Sequence, residues 1–334
     1  MLAAPAGAEA WRYELGPDLP GRFYSVGSHL TGLGVPTGQY GGSRVALIDP
    51  ATADWRLWTR LPVEPGHESV SAFQRIDNGA GINAWTESGG GAQCWTAWRN
   101  QGWVWRLTQS FSPWPWSLAG PSAANQGWMA LSEGRPRRDI GSWVAQWSAQ
   151  GNDRWEPITP VIPGLVIWDA VSWRDGMVLG CSVGDGRYLD EWAGRLVLVQ
   201  GRDWKLVNLP AMAGVIRVAE LESRPGRLWI STAWGEVWWT DDLESFSLWH
   251  REDYGRQRNA FLHELGEQLV VTGARGMVWT YENPESAAKL VMDIPDTEFM
   301  SLSPARLPDD NWCLAGPLTM RNAGNSRPVV ISPE

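Results

Sequence analysis

The chain has 334 residues, 43% of them hydrophobic and 19% charged, with a formal net charge of −9. That length holds two average domains or one large all-β domain, and no Ser/Gly or Pro linker divides it, so residues 1–334 are read as one domain. The acidic balance argues against a duplex- or membrane-surface-binding protein, whose basic stripe is missing, and no stretch approaches the ~18 apolar residues of a membrane span.

The 37 glycines and 23 prolines are spread throughout, as expected for many short strands and turns. Tryptophan is the anomaly, at 25 residues. Large flat side chains suit the space between packed sheets, and about 18 of these indoles are expected there. Met1 to Glu9 lacks the basic and apolar regions of a signal peptide, so a soluble protein made in a reducing cytoplasm is expected. Cys94, Cys181 and Cys313 lie far apart without paired spacing, which predicts buried apolar thiols and neither a disulfide framework nor a zinc site. His29, His67, His250 and His263 form no spaced metal set, and there is no phosphate loop or nucleophile elbow; no metal or cofactor is expected.

Taken in order, the chain repeats one element, an aromatic residue, any residue, then an apolar residue. It stands at Trp11-Arg-Tyr13, Trp55-Arg-Leu57, Trp103-Val-Trp105, Trp204-Lys-Leu206 and Phe246-Ser-Leu248, with weaker copies at Trp155-Glu-Pro157 and Ala288-Lys-Leu290. Successive copies begin 44, 48, 52, 49, 42 and 42 residues apart, near the length of one four-stranded propeller blade. A β-branched or aromatic run precedes each later copy: Arg44 to Ile48, Cys94 to Trp98, Trp143 to Trp147, Arg195 to Val199, Val237 to Thr240 and Val278 to Tyr281. A last such run, Val329 to Ile331, has no outer strand after it, and Trp11 to Leu15 has nothing before it. These two are predicted to pair, which removes an open edge.

Second strands are predicted at Ile82 to Thr86, Trp128 to Ser132, Met177 to Cys181, Leu228 to Thr232, Leu269 to Thr272 and Trp312 to Ala315. First strands are predicted at Phe23 to Val26, Val70 to Phe73, Trp116 to Leu118, Ile167 to Trp173, Ile216 to Leu221, Ala260 to Leu265 and Phe299 to Ser303. The Gly-rich stretch Thr31 to Tyr40 has no clear place, and no helix is expected. The fold expected is all-β, a seven-bladed β-propeller of four-stranded antiparallel blades whose last blade is completed by residues 11–15. Six blades is the alternative, if Trp116 to Trp155 is an irregular insertion.

The stretch Thr240 to Trp249 resembles the Asp-box of sialidase-like propellers, Ser/Thr-x-Asp-x-Gly-x-Thr-Trp. Thr240, Asp242 and Trp249 follow that order, with a longer spacing and without the Gly or the Thr before Trp. The resemblance covers one blade and implies a structural turn between third and fourth strands.

In a propeller the segments leading into the first strands crowd one face, together with the loops joining second to third strands. The residues at those leading positions are Arg22, Glu68, Trp116, Asp169, Arg217, Arg258 and Glu298. Interspersed arginines and carboxylates of this kind can clamp an anionic ligand or neutralise one another in a wet funnel. Long second-to-third connections are expected at Glu133 to Ile140, Gly184 to Trp192 and Gly316 to Arg327. With Arg135, Arg137, Arg138, Asp185, Trp192 and Trp234 they form the expected docking face. The resulting expectation is a non-enzymatic binding or assembly module with protein partners, for example a subunit of a larger particle such as a phage tail or virion. A surface glycan is an alternative partner. A sialidase-like hydrolase is the third reading, for which Tyr24 beside Arg22 is the only tyrosine in place and the Arg-Ile-Pro signature is absent. No nucleic acid and no membrane insertion are expected.

Overall fold

The computed structural model describes residues 10–18, 27–29, 32–37, 44–62, 69–76, 81–88, 91–111, 115–119, 128–135, 138–148, 154–157, 159–183, 193–210, 213–251, 260–321 and 326–334. Among them the chain is strand and turn, with 3-10 turns at Arg99–Gln101 and Ala274–Gly276. No helix among the described residues is long and apolar enough to cross a membrane.

The strands run in order as β1 (Trp11–Leu15), β2 (Gly27–His29), β3 (Gly32–Thr37), β4 (Arg44–Ile48) and β5 (Trp55–Arg60). Then come β6 (Ser69–Ile76), β7 (Gly81–Ser88), β8 (Gly91–Trp98) and β9 (Arg106–Phe111). The next group is β10 (Pro115–Ala119), β11 (Trp128–Arg135), β12 (Arg138–Ser148), β13 (Arg154–Pro157) and β14 (Ile162–Pro163). It is followed by β15 (Val166–Trp173), β16 (Gly176–Val183), β17 (Ala193–Gln200) and β18 (Asp203–Asn208). After these stand β19 (Val215–Leu221), β20 (Arg224–Thr232), β21 (Glu236–Thr240) and β22 (Ser247–Arg251). The chain ends with β23 (Ala260–Leu265), β24 (Gln268–Gly273), β25 (Met277–Tyr281), β26 (Lys289–Asp293), β27 (Thr297–Met300), β28 (Ser303–Arg306), β29 (Trp312–Met320) and β30 (Ser326–Pro333).

Sequence neighbours pair, giving seven sheets among the described residues: β2–β5, β6–β9, β10–β14, β15–β18, β19–β22, β23–β26, and β27–β30 with β1. Strand β1 pairs antiparallel with β30, Trp11 opposite Pro333 and Leu15 opposite Val329, as the sequence predicts. Four-stranded meanders of this kind are blades, and the fold is a β-propeller.

The chain divides into two compact units, one of residues 1–39, 44–60 and 263–334, the other of residues 40–43 and 61–262. Each has its own apolar packing. In the first, Leu265, Val270, Val278, Leu314, Val329 and Ile331 pack together, with Trp11 and Leu15 against them. In the second, Val178, Leu196, Val215, Val218, Leu228 and Ile230 form one cluster. Gly180 permits that contact. A Cβ there would stand 2.7 Å from Val215 Cγ1 and 3.1 Å from Val218 Cγ1, so the β15–β18 sheet meets β19 across a bare backbone.

Several expectations are corrected. Residues 23–26 lie outside the described set; the first strand described there is β2, and β3 occupies the Gly-rich stretch. Trp103 to Trp105 precede β9 instead of opening it, because Gly102 and Trp103 both take left-handed backbone, φ 69° and 59°, which no strand can accommodate. Glu133 to Ile140 is not a long loop: β11 continues to Arg135, opposite Arg138, and β12 resumes there. Gly316 to Met320 and Ser326 to Arg327 likewise belong to β29 and β30, with Gly316 opposite Val329 and Thr319 opposite Ser326. Pairing satisfies backbone groups that a loop would have to solvate. The predicted strand Phe299 to Ser303 is instead broken into β27 and β28, both on β29, with Ser301 N donating to Pro317 O at 3.1 Å.

Trp95, Trp105, Trp173, Trp229 and Trp279 are buried, among an interior of mostly Val, Leu, Ile and Ala. Others, such as Trp168, Trp238 and Trp249, are half-buried, as a side chain of that size often is. The three cysteines are buried and none is in a disulfide.

Candidate functional site

Four consecutive first strands begin with the same irregularity. The pairing of β6, β10, β15 and β19 slips by one residue between Val70 and Ala72, Pro115 and Ser117, Ile167 and Asp169, and Val215 and Arg217. The extra residues are Ser71, Trp116, Trp168 and Ile216. A bulge unpairs one residue, bends the strand and re-aims its neighbours. Each of these sits at the leading end of its sheet. In the other unit β27 does the same between Thr297 and Phe299, which leaves exposed Glu298 as the extra residue.

Asp169 and Arg217 each follow a bulge, and both are half-buried. Asp169 Oδ2 accepts the backbone N–H of Val218 at 3.0 Å, so the carboxylate ties β15 to β19. Burial pushes its pKa up to about 6, against the opposing pull of Arg217 and of backbone N–H donors at Val218 and Ala170. Burial also lowers the Arg217 pKa, and Asp169 offsets part of that. Beside them, Trp168 Nε1 donates to the buried Ser182 hydroxyl at 2.9 Å.

The second-to-third turn of the β19–β22 sheet lies at the same leading end, since Val215 is opposite Thr232. Buried Glu236 takes three donors there: Trp238 Nε1 at 2.9 Å, Arg251 Nε at 3.1 Å and Arg251 Nη2 at 2.7 Å. Thr232 Oγ1 and Trp234 Nε1 are buried and have no hydrogen-bond partner among the described residues. Native interiors rarely leave such atoms unsatisfied.

At the opposite end of that sheet the Asp-box-like turn is a closed hydrogen-bonded unit. Thr240 Oγ1 accepts the N–H of Asp242 at 3.2 Å and of Leu243 at 2.9 Å. Asp242 Oδ1 accepts the N–H of Glu244 and of Ser245, each at 2.8 Å. Those donors hold the Asp242 pKa below the usual carboxylate range. Trp249 meets Trp229 edge-on, with ring centroids 4.9 Å apart. All of these atoms serve the turn and the packing beneath it, a structural role.

Of the residues predicted from sequence, the structure brings Asp169 and Arg217 together and places Trp234 at the same end of the second unit, half-buried where an exposed contact was expected. Trp116 is the extra residue of the β10 bulge. Arg135 and Arg138 face each other across strand ends and do not stand in a loop. Arg22, Glu68, Arg137, Asp185, Trp192 and Arg258 lie outside the described residues. Glu236 and Arg251 were missed: the strand pattern Glu-Val-Trp-Trp-Thr put a carboxylate at a buried position, and that break in alternation was the available signal. Among the described residues no three His, Cys, Asp or Glu side chains converge to hold a metal.

No family model matches the chain, and no curated protein matches it in sequence. Solved structures do match in fold. The structure described as YCF48 bound to D1 peptide aligns with a TM-score of 0.59 at 11% identity, covering 98% of this chain and 96% of that one. YCF48 from Cyanidioschyzon merolae gives 0.56 at 8% identity, covering 97% and 98%. The WD40 β-propeller domain of Doa1 gives 0.59 at 12% identity, covering 97% of each chain. Similarity at this identity carries the fold alone: the chain is a β-propeller.

Proposed function

We propose that this chain is a non-enzymatic binding or assembly propeller that docks a protein partner at the leading ends of its first strands. The observation that carries the reading is the run of four bulges at Ser71, Trp116, Trp168 and Ile216. It spends regular pairing, repeatedly and at one end of each sheet, to re-aim side chains there. A propeller of similar fold has been solved with a peptide bound. Residues 1–334 then act as one seven-bladed propeller, completed by the pairing of residues 11–15 with the C-terminal strand. Membership of a larger particle, a phage tail or virion among them, is the setting in which such a docking subunit works.

The test is native mass spectrometry of the untagged protein from its source, beside Arg217→Glu. Expected is a stoichiometric complex with another chain that the variant loses while its circular dichroism is unchanged. A free monomer from the source, or a complex indifferent to Arg217→Glu, contradicts the reading.

A further inference from the structure

The first unit holds a cleft of about 780 Å³ that the docking reading does not use, a size typical of sites that take a ligand or a short segment. It opens at the ends of the sheets that carry the first-to-second and third-to-fourth turns. Its apolar walls include Trp11, opposite Pro333 in the β1–β30 pair, and Trp312, opposite Arg306 in the β28–β29 pair. Val291 on β26 lines it too, and all three are half-buried. The rim carries Glu267 in the β23–β24 turn, Glu282 just after β25 and Lys289 at the start of β26, all exposed. Neither carboxylate takes a hydrogen bond or an ion pair from a described residue.

We propose that this cleft binds a basic peptide segment, whose Lys or Arg side chain lies against the Trp11 and Trp312 indoles with its charge met by Glu267 and Glu282. An indole face attracts a cation through its quadrupole, and a nearby carboxylate adds a direct charge pairing. Arg306 already uses this attraction: its guanidinium, ion-paired with Asp310 at 3.5 Å, sits over one face of Trp312 at 3.8 Å from the ring centroid, which leaves a ligand cation the Trp11 ring and the other face of Trp312. The rim balance is two carboxylates to one ammonium, which favours a cationic occupant. A neutral sugar would use the indoles and leave both carboxylates without a counter-charge. The cleft lies wholly in the first unit, so this inference stands apart from the docking reading at Arg217.

The probe is a fluorescein-labelled Gly/Ser peptide carrying two arginines, titrated against the full chain by fluorescence anisotropy. The same peptide with glutamates is the control. The arginine peptide is expected to bind and the glutamate peptide not to, with affinity falling as salt rises. Combining Glu267→Gln with Glu282→Gln, both at exposed positions, is expected to weaken binding by about tenfold. Trp312→Phe, which keeps an aromatic ring in the wall, is expected to weaken it less. Equal binding of the two peptides, binding unchanged in the double variant, or displacement of the arginine peptide by a neutral oligosaccharide would each overturn the proposal. Partner docking lost in Arg217→Glu with peptide binding retained, or the reverse, tells the two readings apart.

Discussion

The leading end of the β15–β22 sheets and the cleft of the first unit use the same residue types in opposite ways. In the former, carboxylates are consumed by the structure. Asp169 holds the backbone of Val218, and Glu236 is buried under Trp238 and Arg251. In the cleft, Glu267 and Glu282 stand exposed on a rim between half-buried indoles. A carboxylate with two or three internal donors is part of the scaffold, and its removal is read in stability. A carboxylate without them is available to a ligand, and its removal is read in binding. On the docking reading proposed above, what is left for a partner at the leading end is the half-buried Arg217 guanidinium.

The largest expected effect breaks the packing beneath the Thr240 to Ser245 turn of the β19–β22 sheet. Trp229 is 1% exposed and packs edge-on against Trp249, so Trp229→Ala is expected to cost about 3–5 kcal/mol, read as a fall in the urea midpoint. A smaller effect sharpens the contrast between carboxylates. Glu236→Ala strands the Trp238 and Arg251 donors and is expected to cost about 1–3 kcal/mol. Glu267→Ala, on the exposed rim, is expected to stay within about 0.5 kcal/mol of the wild type. Equal losses at the two positions would dissolve the distinction.

The smallest effect is one of pH. Asp169 titrates near pH 6 in the folded protein, above its ordinary 3.8. The folded state therefore keeps a proton that the unfolded chain has lost, and this group's contribution to stability falls as pH rises through that window. Asp169→Asn is expected to flatten that slope. Arg217→Gln is expected to raise the carboxyl pKa further, since it removes the charge that lowers it. Urea unfolding followed as a function of pH reads the first, and carbon-13 NMR of the Asp169 carboxyl reads the second.

Much of the fold was legible because a four-stranded blade repeats its hydrophobic pattern every 42 to 52 residues, and turn chemistry marks the breaks. The pairing of Trp11 to Leu15 with the last strand followed from counting unmatched strands. The turn from Thr240 to Ser245 followed from residue types that bond their own backbone. What sequence could not show was register. A one-residue bulge leaves the alternation of apolar residues nearly intact while changing which side chains share an end of the sheet. Asp169 and Arg217 were thus found as charges at strand starts, but their place after matching bulges was not. The cleft was invisible for a different reason. Trp11, Glu267, Glu282 and Trp312 come from four separate turns and strand ends, and no spacing links them.

The central claim is that Arg217 and its neighbours at the bulged ends form a protein-docking surface. Native mass spectrometry of the untagged protein from its source, compared with Arg217→Glu, tests it most directly. The account predicts a stoichiometric complex with a second kind of chain that dissociates in the variant while the propeller stays folded. A protein that leaves its source as a free monomer, or a complex that survives the charge reversal, would contradict it.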